Sequence, residues 1–196
     1  MKRFYLLVVA LFGAMSCVSD KVVIDKELPA GNIVFERMVG DTVYVHQELR
    51  GSKKAWFYWA FRAKGCQGKR LTFVFTKSFA LCERGPLVSL DKGKTYDYLA
   101  EEGATPNIFT YTFPKDAKEV WFYECHPYTP QMWDSFVGNR NNIGEFETGV
   151  LCQSRKGRDV PFFRMMPKHA APKKSLFITA RHHCSGAPAA YVMEGL

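Results

Sequence analysis

At 196 residues, with 47% hydrophobic and 15% aromatic side chains, the chain suits one or two domains and carries enough apolar surface to bury a sizeable core, which excludes a largely disordered protein. The formal charge of +8 is spread thinly, with no run of five like charges. It describes a solvated basic surface and gives no nucleic-acid groove, so no nucleic-acid partner is expected.

The first sixteen residues read as a secretory signal. Lys2 and Arg3 form a basic start, Phe4 to Phe12 an apolar stretch, and Ala14-Met15-Ser16 a small-x-small cleavage site. The segment is too short and wrongly flanked for a transmembrane helix. Once Lys2 and Arg3 leave with it, the net charge falls from +8 to +6. Cys17 follows directly and reads as a lipobox cysteine, whose thiol takes diacylglycerol, although Ala14 stands where leucine is stronger. The expectation is an exported protein held on a bacterial membrane by lipid at Cys17, several acyl chains anchoring more firmly than one. Ordinary signal cleavage, giving a periplasmic or secreted protein, is the alternative. Residues 17–30 are polar and mixed, ending in Pro29-Ala30-Gly31, and read as a tether.

Residues 31–135 change texture. Short β-branched and aromatic runs predict strands over Ile33 to Arg37, Thr42 to Gln47, Ala55 to Arg62, Arg70 to Thr76, Leu87 to Leu90, Ile108 to Phe113 and Val120 to Tyr123. Gly40-Asp41, Gly51-Ser52, Gly65 to Gly68 and Asp91 to Lys94 punctuate them. Short strands at this spacing predict an antiparallel β-sandwich. His126-Pro127-Tyr128-Thr129-Pro130 then stops strand formation, because each proline removes a donor and restricts its predecessor. Gln131 to Val137 suits a short helix, and a domain boundary is placed between residues 135 and 136.

Residues 136–196 read as a hairpin, with Gly149 to Ser154 and Val160 to Met165 around a Gly157 turn. A buried strand over Leu176 to Thr179 and a short helix from Pro188 follow. The fold class is mainly β: an antiparallel β-sandwich followed by an incomplete α/β segment. Its uncovered sheet edges and helix face imply that the region after about residue 148 is marginally stable or self-associates.

The apolar run Ser175 to Ala180 delivers His182-His183-Cys184 to a turn, the one constellation with metal-site character. Zinc takes imidazole and thiolate ligands, but side chains of adjacent residues diverge and rarely bind one ion together. His183 is the single good candidate, and Gly186 stands three residues on. Cys66, Cys82, Cys125, Cys152 and Cys184 contain no CxxC spacing, so a thiolate zinc cluster has no support and pairing stays open. Trp56-Phe57-Tyr58-Trp59 alternate across a strand and read either as a packed core or as a platform on which Trp56 and Trp59 stack a sugar or peptide. Asn139-Arg140 reads as a solvated loop or a carboxylate clamp.

Taken together these pieces resemble the zinc metallocarboxypeptidases, in particular their cytosolic-carboxypeptidase-like branch. Thr179 to His183 followed by Pro188 to Gly195 looks like the first zinc-ligand segment of that family. Trp56 to Trp59, Phe61-Arg62, Arg84-Gly85-Pro86 and Val88 to Thr95 resemble its preceding sandwich. Pro127-Tyr128-Thr129, Leu151, Ser154, Gly157, Arg158 and Pro161 resemble the approach to its catalytic sheet. The resemblance implies a β-sandwich ahead of an α/β domain, hydrolysis of C-terminal peptide bonds, peptide C-termini as ligands, and zinc as the metal that polarises the carbonyl and activates water. The family's first segment reads HxxE; here His183 matches the histidine and Gly186 replaces the metal-binding glutamate. The general base, second histidine and substrate-binding arginine of the family lie further along than this sequence reaches. The implied reading is a truncated chain that does not bind zinc tightly and is inactive by itself. The alternative is a non-enzymatic envelope lipoprotein whose sandwich binds peptide or glycan.

Overall fold

The computed structural model describes residues 21–49, 58–77, 80–82, 84–99, 105–140, 146–166 and 174–195. The signal segment, Cys17, Trp56 and Phe57 lie outside the described residues. The fold is mainly β, as the residue pattern predicts. Strands β1 (Val23–Asp25), β4 (Ala60–Lys64), β6 (Leu87–Ser89), β7 (Asp97–Tyr98) and β9 (Glu119–Tyr123) form a five-stranded sheet in the order β1-β4-β9-β6-β7. Strands β2 (Val34–Val39), β3 (Thr42–His46), β5 (Arg70–Phe75) and β8 (Ile108–Thr112) form a second sheet in the order β2-β3-β5-β8. All pairings are antiparallel except that of β3 with β5, which are parallel. The chain crosses to the other sheet for β4 between them, which is the long connection a parallel pair requires.

The two sheets close on one core. Along β3 and β5 every second residue is buried, so Val43, Val45, Leu71, Phe73 and Phe75 point inward, as period-two alternation demands. They meet Phe61 of β4, Phe109 of β8 and Phe122 of β9. Phe73 lies 4.8 Å from Phe109 and 5.6 Å from Phe122, centroid to centroid.

The tether expectation for residues 17–30 is corrected over its described part. Val23–Asp25 pair with Arg62–Lys64, and Ile24 enters the core. Arg62 donates to both Asp25 carboxylate oxygens at 3.0 Å, a forked bond that pins β1 to β4 and raises the guanidinium's pKa further.

Beyond the sandwich, helix α1 (Pro130–Gly138) is started by Thr129, whose hydroxyl accepts from Met132 N, with proline in the first turn. The helix runs across the boundary placed between residues 135 and 136. The predicted hairpin forms as β10 (Phe146–Gln153) and β11 (Asp159–Met165). It packs on α1 through aromatic rings, Phe163 lying 5.6 Å and Phe146 6.0 Å from Phe136, while Phe146 and Phe163 stack within the hairpin at 5.2 Å. The predicted buried strand over Leu176 to Thr179 is corrected: it makes no sheet pairing among the described residues, and Leu176 is 85% exposed. A four-residue apolar run becomes a buried strand only where a neighbouring strand pairs with it. A 3-10 turn, Cys184–Gly186, then leads into helix α2 (Ala187–Glu194). No helix among the described residues is long and apolar enough to cross a membrane.

Candidate functional site

The outer face of the five-stranded sheet is also buried. On β9, Val120 and Phe122 enter the central core while Trp121 and Tyr123 point the other way, joining Tyr58, Ala60 and Leu87 in a second cluster. Leu28 and Ala30 cover part of it. The Tyr58 hydroxyl donates to Ala30 O at 2.7 Å and the Tyr123 hydroxyl to Pro29 O at 3.4 Å. Tyr96 meets Tyr123 edge-on at 5.5 Å and His126 at 5.4 Å. Burial raises the phenol pKa values of Tyr96 and Tyr123, so both stay protonated donors. Of these residues Pro29, Tyr96, Trp121, Tyr123 and His126 line a groove of about 700 Å³, which Met132 of α1 and Pro188 and Tyr191 of α2 also line.

One edge of the groove is the turn between β6 and β7, organised by a single carboxylate. Asp91 accepts from Ser89 Oγ (2.8 Å), Lys94 N (3.0 Å), Thr95 N (2.9 Å) and Thr95 Oγ1 (2.8 Å). The bonds from Thr95, together with those from Ser89 and Lys94, pull the Asp91 pKa down to about 2. Gly93 has φ +79°, and a Cβ there meets Tyr96 Oη at 2.8 Å and the Trp121 ring at 3.1 Å, so glycine is required. Because the folded pKa is depressed, the stabilisation from Asp91 is fully present above the ordinary aspartate range, near pH 4, and is lost as pH falls toward 2. Asp91→Asn is therefore expected to lower the melting temperature at pH 7, with the gap from wild type closing as the pH approaches 2. Melting curves across that range check it; a gap that ignores pH contradicts it.

The histidine turn is held against the 125–140 segment. Arg181, at φ +61°, donates to Tyr128 O. The Tyr128 hydroxyl donates to Glu194 Oε1 at 2.6 Å, and the Tyr191 hydroxyl to Pro127 O at 2.6 Å. Arg140 donates to Glu194 O at 3.2 Å and stacks over Phe136 at 4.0 Å, so it braces α2 against α1. That use replaces the carboxylate-clamp alternative for Asn139-Arg140.

His182 and His183 are both exposed, and His182 Nε2 lies 2.8 Å from Thr179 Oγ1. Gly186 N donates to His183 O at 3.0 Å, which puts position 186 one turn from His183. That spacing suits an HxxE pair, but glycine carries no ligand. A Cβ at Gly186 comes within 3.3 Å of Arg181 Cα, so a larger residue needs a small backbone adjustment. Among the described residues no three of His, Cys, Asp and Glu converge on a common point. These side chains do not fit a catalytic zinc, which takes three protein ligands. The Cys184 side chain is outside the described residues. Cys66, Cys82 and Cys152 form no disulfide among the described residues, and burial pushes the Cys66 pKa up to about 11, leaving it inert.

The stacking expectation for Trp59 is corrected. Its ring is wholly buried in the central core and its indole N–H donates to Ala80 O. Of the two tryptophans proposed to bind glycan, Trp56 lies outside the described residues and Trp59 has no open face. Sequence reasoning also missed a surface relay. His46 Nδ1 lies 2.6 Å from Glu36 Oε1 and its Nε2 lies 3.1 Å from Lys77 Nζ. The Thr76 hydroxyl and then His46 lower the Glu36 pKa. The four residues tie β2 and β3 to the end of β5, and no local motif marks them.

No protein-family model matches the sequence, and a comparison with curated proteins finds no match. Solved structures do match. A metallo-carboxypeptidase from Burkholderia cenocepacia superposes with a TM-score of 0.75 at 19% identity, covering 90% of this chain and 48% of that one. A metallo-carboxypeptidase from Pseudomonas aeruginosa, in complex with (2-guanidinoethylmercapto)succinic acid, superposes with a TM-score of 0.60 at 16% identity, covering 75% of this chain and 41% of that one. The chain thus spans about half the length of the solved structures it matches. Over that half, its sandwich, helices and hairpin follow the fold of bacterial metallo-carboxypeptidases.

Proposed function

We propose that these residues form the accessory β-sandwich and the opening strands of a zinc metallocarboxypeptidase-like protein of the cytosolic-carboxypeptidase-like branch, whose reaction is hydrolysis of C-terminal peptide bonds. The observation that carries the reading is the TM-score of 0.75 over 90% of the chain against 48% of the Burkholderia cenocepacia enzyme. The succinic acid derivative bound by the Pseudomonas aeruginosa structure supports a carboxylate-bearing ligand, such as a peptide C-terminus, for a complete protein of this kind.

The same reading holds that the 196 residues alone do not carry out the reaction. His183 is one ligand where the chemistry needs three, and Gly186 leaves the second position empty of a carboxylate. Zinc titration by calorimetry, with hydrolysis assays on peptides ending in varied C-terminal residues, tests this. No tight binding and no turnover are expected, for wild type and for Gly186→Glu alike. Turnover by the 196-residue chain would overturn the proposal. Export and lipid anchoring at Cys17 belong to the reading too. A metabolic label with an alkynyl fatty acid should mark the wild type and not Cys17→Ser; equal labelling of both would remove the anchor.

A further inference from the structure

We infer that Cys125 and Cys184 are a redox pair, joined on oxidation by a disulfide that fastens the histidine turn to the end of the sandwich. The Cys125 thiol donates to Ser185 O at 3.9 Å, a contact that closes 60 residues of chain. Ser185 follows Cys184 directly, and consecutive Cα atoms lie about 3.8 Å apart. The backbone at residue 184 is therefore one peptide step from the carbonyl that the Cys125 sulfur touches. Contacts on either side hold this approach: Arg181 donates to Tyr128 O, and the Tyr191 hydroxyl donates to Pro127 O at 2.6 Å.

The other cysteines are placed differently. The Cys66 thiol donates to Lys64 O at 3.2 Å, and the residue is 2% exposed in the central core. The Cys82 thiol donates to Gly85 O at 3.5 Å, within its own turn. Cys152 is exposed on β10. Among the described residues, none of these three sulfurs hydrogen-bonds a distant segment, whereas that of Cys125 does. Cys125 is only half-buried, so a small oxidant can reach it.

The oxidant is an external disulfide such as oxidised glutathione. The thiolate of one cysteine attacks it, forming a mixed disulfide and releasing one glutathione thiol. The thiolate of the other cysteine then displaces the second glutathione. The protein gives up two electrons and two protons, and the S–S bond forms. Closing so long a loop restricts the unfolded chain more than the folded one, so the oxidised form is the more stable. The bond also ties the 3-10 turn and α2 to the 125–128 segment, and with them the turn that carries His183.

The test uses the chain with Cys17→Ser, which removes the acylation site. Purified in the reduced state, it is treated with oxidised glutathione while folded and, separately, in denaturing urea. Remaining thiols are alkylated, and tryptic fragments are read by mass spectrometry. Fragments 119–140 and 182–196 carry one cysteine each, so a link between them identifies the pair. That link is expected as the main disulfide of the folded chain, against a mixture from urea. Oxidation should raise the melting temperature by about 5 °C or more, and leave it unchanged in Cys184→Ala. Hydrogen exchange over Ala187–Glu194 should slow with it. Absence of the link, Cys125 joined elsewhere, or a folded-state mixture matching the one from urea overturns the inference. So does an equal rise in melting temperature for Cys184→Ala. The outcome is independent of the zinc and hydrolysis results.

Discussion

Trp59→Ala is expected to cost about 3–5 kcal/mol of folding stability, the range for emptying a large aromatic from a core. The ring is fully buried, with Phe75 at 4.8 Å, Phe61 at 5.6 Å and Phe109 at 6.2 Å, so the cavity is bounded by rigid rings on two sheets and collapses poorly. Removing the indole also strips the buried Ala80 O of its indole donor, which adds the cost of an unsatisfied carbonyl. Small domains hold only about 5–15 kcal/mol in total, so the variant should sit near its unfolding threshold. Urea denaturation measures it, and a loss under about 1 kcal/mol would show that the two sheets do not close around this residue. The same result bears on any glycan-binding assay: failure of Trp59→Ala to bind reports lost fold before it reports a lost contact.

The second large effect is expected at Gly31, through crowding and not through a hole. A Cβ there lies 1.9 Å from Lys26 O and 2.7 Å from Lys26 C, so the backbone of the 26–31 turn must move to admit even alanine. Gly31 N donates to Leu28 O, and the next residue, Asn32, bonds Ala60 O through its N–H and Tyr58 O through its side-chain amide. Displacing the turn therefore lifts Leu28 and Ala30 off the outer face and strains the pairing of β1. Gly31→Ala is expected to cost about 1–3 kcal/mol, as overpacking of a tight site does. Faster hydrogen exchange should appear over Val23–Asp25. Gly138, at the end of α1, has nothing within 4 Å of its Cβ position and is the control whose alanine variant should stay close to wild type.

Much of the sandwich was legible because burial there follows local alternation. The runs at 42–47 and 70–76 bury large apolar residues at every second position, the run at 120–123 is apolar throughout, and each forms a strand. Two strands were not legible. Val23–Asp25 is three residues with one buried side chain, Ile24, and becomes a strand by pairing with Arg62–Lys64 far along the chain, where Arg62 also reaches Asp25. Asp97–Tyr98 is two exposed residues paired to β6. Leu176 to Thr179 errs the other way: its composition matches a buried strand, but composition cannot supply the partner that buries it. The parallel pairing of β3 with β5 leaves no trace in either strand.

The spacing of His183 and Gly186 needs no fold to be read, since the two lie three residues apart in one segment. The groove does need one. Pro29, Lys94, Trp121, Met132 and Tyr191 are spread over most of the chain and meet only on the folded sheet. Trp59 shows the limit most plainly. The sequence by itself determined that Tyr58 and Trp59 face opposite sides, because side chains alternate on any pleated strand. Only the tertiary structure decided that both sides are covered, Trp59 by the facing sheet and Tyr58 by the 28–30 segment. Alternation is a property of neighbouring peptide units, whereas cover depends on which distant segments the chain brings back. That return is set by sheet order and loop closure, which no short window of sequence contains.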